Sequence, residues 1–172
     1  MSQSRLWRIC STIHHLKVKN QVGTGVRLLV VLVIHRCKTH IDMITVNNKE
    51  ELKALINQRI EEQGPNCDLN DIDVSGITDM SFLFCKSYFN GDISQWDVSK
   101  VEDMELMFYR SEFNGDISNW NVTNVKDMCC MFLESRFNGD ISRWNVCTYE
   151  MTSMFRESEL EVNGKTPTWY RE

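Results

Sequence analysis

The sequence predicts an α/β repeat solenoid. Each coil would hold a parallel strand and a short helix, and an N-terminal helix would cap the first coil. Three observations carry this expectation. The octet FNGDISQW at 89–96 returns as FNGDISNW at 113–120 and as FNGDISRW at 137–144. Apolar residues keep the same spacing inside each copy. An amphipathic helical pattern lies just ahead of the copies. A supersecondary unit that cannot bury its apolar face alone does so by stacking on its neighbours.

The capping helix is read from NNKEELKALINQRIEEQGP. Asn48 is placed at the N-cap with Glu51 three residues on, a capping-box-like start. Leu52, Leu55, Ile56 and Ile60 share one face at helical spacing. Gly64 is a natural stop, and Pro65 cannot continue the helix. The expected helix covers 48–63 within a capping segment at 43–64.

Four coils are expected across 65–159, with a degenerate cap or tail at 160–172. The regular units are B (89–112), C (113–136) and D (137–159). LNDIDVSGITDMSFLF (69–84) aligns without a gap to ISQWDVSKVEDMELMF (93–108) as a degenerate unit A. From Ile93 the spacing matches the leucine-rich-repeat frame, with Ile, Trp and Val in the leucine places. Alternation around Trp96 and Val98 predicts a short strand. Spacings of three and four through Val101, Met104, Met107 and Phe108 predict a turn or two of helix. Asn-Gly then returns the chain, with Gly91 able to take a positive φ. The variable seventh letter (Gln95, Asn119, Arg143) is expected to face solvent, while the constant letters face the interior or shape the turn.

Composition narrows the function. Net charge is −5, yet residues 1–42 carry seven Lys/Arg against one acid, while 43–172 carry twelve against twenty-three. An acidic body excludes nucleic acid as the main partner, because phosphate binding needs a basic face. Residues 1–42 read as a basic extension, mis-assigned upstream of Met43 or poorly ordered. Their most apolar run, VRLLVVLVI at 26–34, is too short for a membrane span and reads as a buried strand. Seven cysteines without shared spacing read as reduced thiols rather than a disulfide scaffold. Neither a signal peptide nor a lipid anchor is convincing, so no compartment is assigned.

FNGDISxWxVxxVxDMxxMF resembles the repeat of the BspA-like leucine-rich-repeat surface proteins, a mycoplasma-type domain of unknown function. The resemblance covers about 45–159. It implies a leucine-rich-repeat-like solenoid, no catalytic activity, and a role in adhesion at bacterial surfaces.

The candidate site is the strand face: Asp71 and Asp73, Gln95 and Asp97, Asn119 and Asn121, Arg143 and Asn145. Repeat proteins commonly bind through such faces. The expected function is a monomeric, non-enzymatic protein-binding or adhesion module without cofactor, metal or membrane span. The alternative is a truncated family member with no binding activity of its own. The Asp92/Asp116/Asp140 ladder suits turn capping better than calcium, given one acid per turn. Phe89/Phe113/Phe137 and Trp96/Trp120/Trp144 suit a core better than a sugar- or base-stacking platform. Cys10, His14, Cys37 and His40 lack the tight paired spacing of a zinc site. No nucleophile elbow, phosphate loop or HExxH is present.

Overall fold

A computed structural model describes residues 43–171. The apolar run at 26–34, the Cys/His set at 10–40 and the extension itself lie outside the described residues. In order come β1 (Ile44–Thr45), α1 (Lys49–Gln63), β2 (Ile72–Asp73) and α2 (Glu159–Val162). β1 and β2 pair in parallel, Ile44 opposite Ile72 and Thr45 opposite Asp73.

This corrects the expected α/β leucine-rich-repeat-like solenoid. Among the described residues the regular elements are two helices and one two-residue strand pair, and none of them lies within 89–158. The segment with apolar spacings of three and four is not helical. Leu83 N–H bonds to Met80 O, Cys85 to Phe82 O, and Ser87 to Phe84 O, giving three successive turns. Phe82 and Lys86 have φ of 59° and 55°. That left-handed conformation cannot propagate a right-handed helix. Turns closed at three-residue spacing put apolar side chains inward at nearly the rhythm of a helix, so the periodicity did not separate the two. The residues around Trp96 and Val98 belong to no strand and lie between two turns.

The copies bond to one another directly. Alternate N–H groups of each turn run reach the next copy: Met80 to Asp103 O, Phe82 to Glu105 O, Phe84 to Met107 O and Lys86 to Tyr109 O, at 2.7–2.9 Å. Met104, Leu106, Phe108 and Arg110 repeat the set on 127, 129, 131 and 133. Met128, Cys130, Phe132 and Glu134 repeat it on 150, 152, 154 and 156. The backbone groups left open by the missing helix and sheet find their partners here.

Every run carries two left-handed residues: 82 and 86, 106 and 110, 130 and 134, 153 and 157. None is glycine, and such a residue costs on the order of 1 kcal/mol or more. Ser153 tests this, since its side chain makes no hydrogen bond among the described residues. Ser153→Gly should stay within about 1 kcal/mol of wild type, because relief of strain offsets added freedom in the unfolded chain. Ser153→Val should lose about 1–2 kcal/mol, since a β-branched residue fits this region worst. Urea unfolding midpoints check the order, and equal midpoints would count against strain at this position.

The interior is aromatic. Phe84, Phe108, Phe132 and Phe155 form one column with ring centroids 5.4–5.7 Å apart. Phe89, Phe113 and Phe137 form a second, at 6.0–6.3 Å. The columns touch where each copy passes into the next, at 4.4–4.7 Å. Trp96, Trp120 and Trp144 are each 4% exposed. Their indole N–H groups donate to Leu69 O, Ile93 O and Ile117 O, each in the preceding copy. A buried indole needs such a partner. Trp169 donates in the same way to Ile141 O at 3.1 Å and stacks on Trp144.

Both ends of this core are covered. At the start, Asn48 caps α1 by accepting from Glu51 N–H, while Glu51 accepts from Asn47 N–H. Leu52 and Ile56 of α1 enter the core, with Leu55 and Ile60 packed against it. Arg59 pairs with Asp71 at 2.6 Å and Lys49 with Asp79 at 2.5 Å, fixing the helix on the first unit. At the far end Leu160 of α2 is buried, and Trp169 and Tyr170 lie against Phe155.

Gly91, Gly115 and Gly139 do not have positive φ, so the conformational freedom available at Gly91 is not used. They are glycine because of space. A Cβ on Gly91 would lie 1.9 Å from Cys67 O and 2.7 Å from the Phe89 ring.

Candidate functional site

The octet separates scaffold from free surface residue by residue. Asn90 Oδ1 accepts from Asn114 N–H, and Asn114 Oδ1 from Asn138 N–H, both at 2.8 Å. Asp92, Asp116 and Asp140 accept from Ser94, Ser118 and Ser142 N–H at 2.9 Å. Each carboxylate therefore closes its own turn. Among the described residues no group of three or more His, Cys, Asp or Glu is placed to hold a metal ion.

The eight predicted site residues fall into two groups. Asp71 is engaged by Arg59 of α1. Asp73, Asp97 and Asn121 accept from the amides of Ser75, Ser99 and Thr123, two residues on. These side chains hold turns as well as facing outward. Gln95, Asn119, Arg143 and Asn145 are exposed. Of these, Asn119, Arg143 and Asn145 make no side-chain hydrogen bond within the described residues. Gln95, Asn119 and Arg143 occupy the variable seventh place, so they form one column, with Asp97, Asn121 and Asn145 beside it. No strand underlies either column: Gln95 sits in a turn and Asp97 between two turns.

Two features escaped the sequence reading. One is a second acid ladder. Asp79, Asp103, Asp127 and Glu150 are bridged in sequence by the backbone. Asp79, Asp103 and Asp127 accept from the amides of Ser81, Glu105 and Cys129 at 2.8 Å. The Asp-Met pair opening three of the turn runs, with Glu150-Met151 opening the fourth, was its signal. The other is the outer face of the turn runs. There Phe82 is 41% exposed, and Leu106, Tyr109 and Leu133 are half-buried. Lys86 and Arg110 lie over the Tyr109 ring at 5.8 and 5.1 Å. Arg110 also holds Glu134 through two hydrogen bonds of 2.7 and 3.0 Å.

A shallow polar cleft of about 240 Å³ lies at the start of α1. The Lys49–Asp79 pair stands at its wall. The cysteines at 67, 85, 129, 130 and 147 are free. Burial pushes the thiols of Cys67, Cys129 and Cys130 up from their ordinary value, which suppresses thiolate.

A family model described as "Mycoplasma protein of unknown function, DUF285" matches residues 51–169. The chain belongs to this family. The match takes in most of α1, all four units and Trp169, so the segment after unit D is part of the family pattern. No curated protein and no solved structure matched the chain. No helix of the described residues is long and apolar enough to cross a membrane.

The turn-closing carboxylates predict an acid response. The Ser94, Ser118 and Ser142 amides hold Asp92, Asp116 and Asp140 below their ordinary value. The Ser99 hydroxyl, then its amide, does the same for Asp97. A carboxyl whose folded value is depressed stabilises the fold above its unfolded value, near 3.9, and that stabilisation is lost as pH falls through the folded value. The melting temperature should be flat from about pH 7 to 5 and drop below about pH 4. Asp92→Asn, Asp116→Asn and Asp140→Asn combined should flatten that drop, since Asn keeps an acceptor but does not titrate. An unchanged profile in the triple variant would show that other groups govern acid unfolding.

Proposed function

We propose that the protein is a non-enzymatic binding module. It would meet a protein partner through the columns Gln95/Asn119/Arg143 and Asp97/Asn121/Asn145. The supporting observation is the division of labour within the octet. The constant letters are spent on core, turn closure and bonds between copies, whereas the variable letter is exposed. A protein surface with side chains at regular spacing, held by a rigid interior, is preorganised for recognition and loses little entropy on binding. The engagement of the acids by their own turn amides supports a non-enzymatic reading, since such carboxylates are not poised for proton transfer.

Within its family we place the chain beside the BspA-like surface proteins, on the strength of the phased octet, and expect an adhesive role. The alternative is a family member without binding activity of its own.

The test uses positions whose side chains hold no turn. Asn119→Glu combined with Arg143→Glu should leave the melting temperature within experimental scatter and abolish capture of a surface partner. Affinity capture with wild type and variant, read by mass spectrometry, makes the comparison. A partner retained equally by both would remove these columns as the site, and no partner for either would favour the alternative.

A further inference from the structure

At one matching position on the outer face every turn run carries a charged residue, with Glu105 and Arg156 as further charges on the second and fourth runs. The matched residues are Lys86, Arg110, Glu134 and Glu157, reading plus, plus, minus, minus from unit A to unit D. The bonds Lys86 N–H to Tyr109 O, Arg110 N–H to Leu133 O and Glu134 N–H to Arg156 O fix these positions side by side. Lys86 is exposed and makes no ion pair among the described residues, whereas Glu157 pairs with Arg156 of its own chain at 3.4 Å while its side chain stays 62% exposed. Beside the middle of this row lie Leu106 and Leu133, both half-buried.

We propose that this face binds a second copy of the same chain, end for end, about a two-fold axis between units B and C. A row that reads plus, plus, minus, minus is its own complement under that rotation. Lys86 meets Glu157 of the second copy, and the Arg110–Glu134 pair meets the same pair reversed, giving a four-charge network. Leu106 and Leu133 lie close to the axis and lose water. The contact is isologous, as closed dimers require. Four turn runs side by side at roughly 4.8 Å spacing make a short face. The pair therefore belongs to the weak class, burying less than about 1,200 Å², and it weakens as salt screens the charges. This departs from the monomer that the sequence predicts, and it uses a different face from the columns of the octet.

Sedimentation equilibrium of the full chain over a dilution series, at low and high salt, tests the proposal. Wild type should show a dimer fraction that rises with concentration and falls with salt. Lys86→Glu alone and Glu157→Lys alone should each weaken association more than about tenfold, since like charges then face each other at both ends. Mixing the two single variants should restore pairing, because both contacts again join opposite charges. Circular dichroism confirms that each variant is folded, and the Lys86→Glu/Glu157→Lys double variant gives a second restoration. A wild type that stays monomeric overturns the proposal. So do single variants that associate as well as wild type, or a mixture that fails to recover.

Discussion

Phe113→Ala is expected to destabilise the protein by about 3–5 kcal/mol, the range for emptying a large buried aromatic site. Phe113 is fully buried. Its ring lies 4.5 Å from Phe108, 6.0 Å from Phe89, 6.3 Å from Phe137 and 6.4 Å from Phe84. It thus joins both aromatic columns and touches rings from all the other three units. Rings around the void are held by backbone bonds to copies on either side, so collapse into the space is restricted. For a chain with ordinary stability of about 5–15 kcal/mol, the loss removes a large part of the total. Guanidinium unfolding against Tyr149→Ala supplies the control, since Tyr149 is 96% exposed. A loss below about 1.5 kcal/mol for Phe113→Ala would mean that this interior repacks freely.

The second large effect concerns the smallest residue. Gly91→Ala places a methyl group 1.9 Å from Cys67 O, a backbone atom that cannot swing aside. The Asp92 N–H bond to that same oxygen, at 3.2 Å, would have to lengthen or break. The cost should reach or exceed the top of the ~1–3 kcal/mol range of overpacking. Gly115→Ala should cost less, because its backbone contact, Gly91 O, is 3.1 Å away, although the Phe113 ring lies at 2.8 Å. Gly139→Ala should cost least, as its contacts are all with the Phe137 ring. Equal losses at all three positions would refute the steric account and point back to backbone freedom.

Much of the interior was legible because repetition marks it. Three tryptophans and three phenylalanines at fixed places in the octet announced a core, and they are buried. α1 was legible from Asn48, Glu51 and Gly64, since caps and stops are local chemistry. The turn runs were not. Phe82, Leu106, Cys130 and Ser153 share a left-handed conformation with no residue preference to signal it. The conformation is imposed by bonds to the next copy, which outweigh local propensity. The role of Trp169 was hidden for the opposite reason. The letters around it no longer match the octet, yet its indole repeats the bond made by the other three. In the candidate site, exposure of the seventh letter was readable from its variability. That Asp97 and Asn121 also close turns was not, because capping depends on where the amide two residues on is pointing.

The four indoles that donate to backbone carbonyls turn the molecule into its own optical gauge. Trp96, Trp120 and Trp144 sit in one recurring environment, so their emission should be blue-shifted in the native state and move red together on denaturation. Trp144 and Trp169, with rings 6.4 Å apart, are close enough for their excited states to couple. Near-ultraviolet dichroism should carry that signature, and fraying at the carboxy-terminal end would erase it before the bulk fluorescence changes.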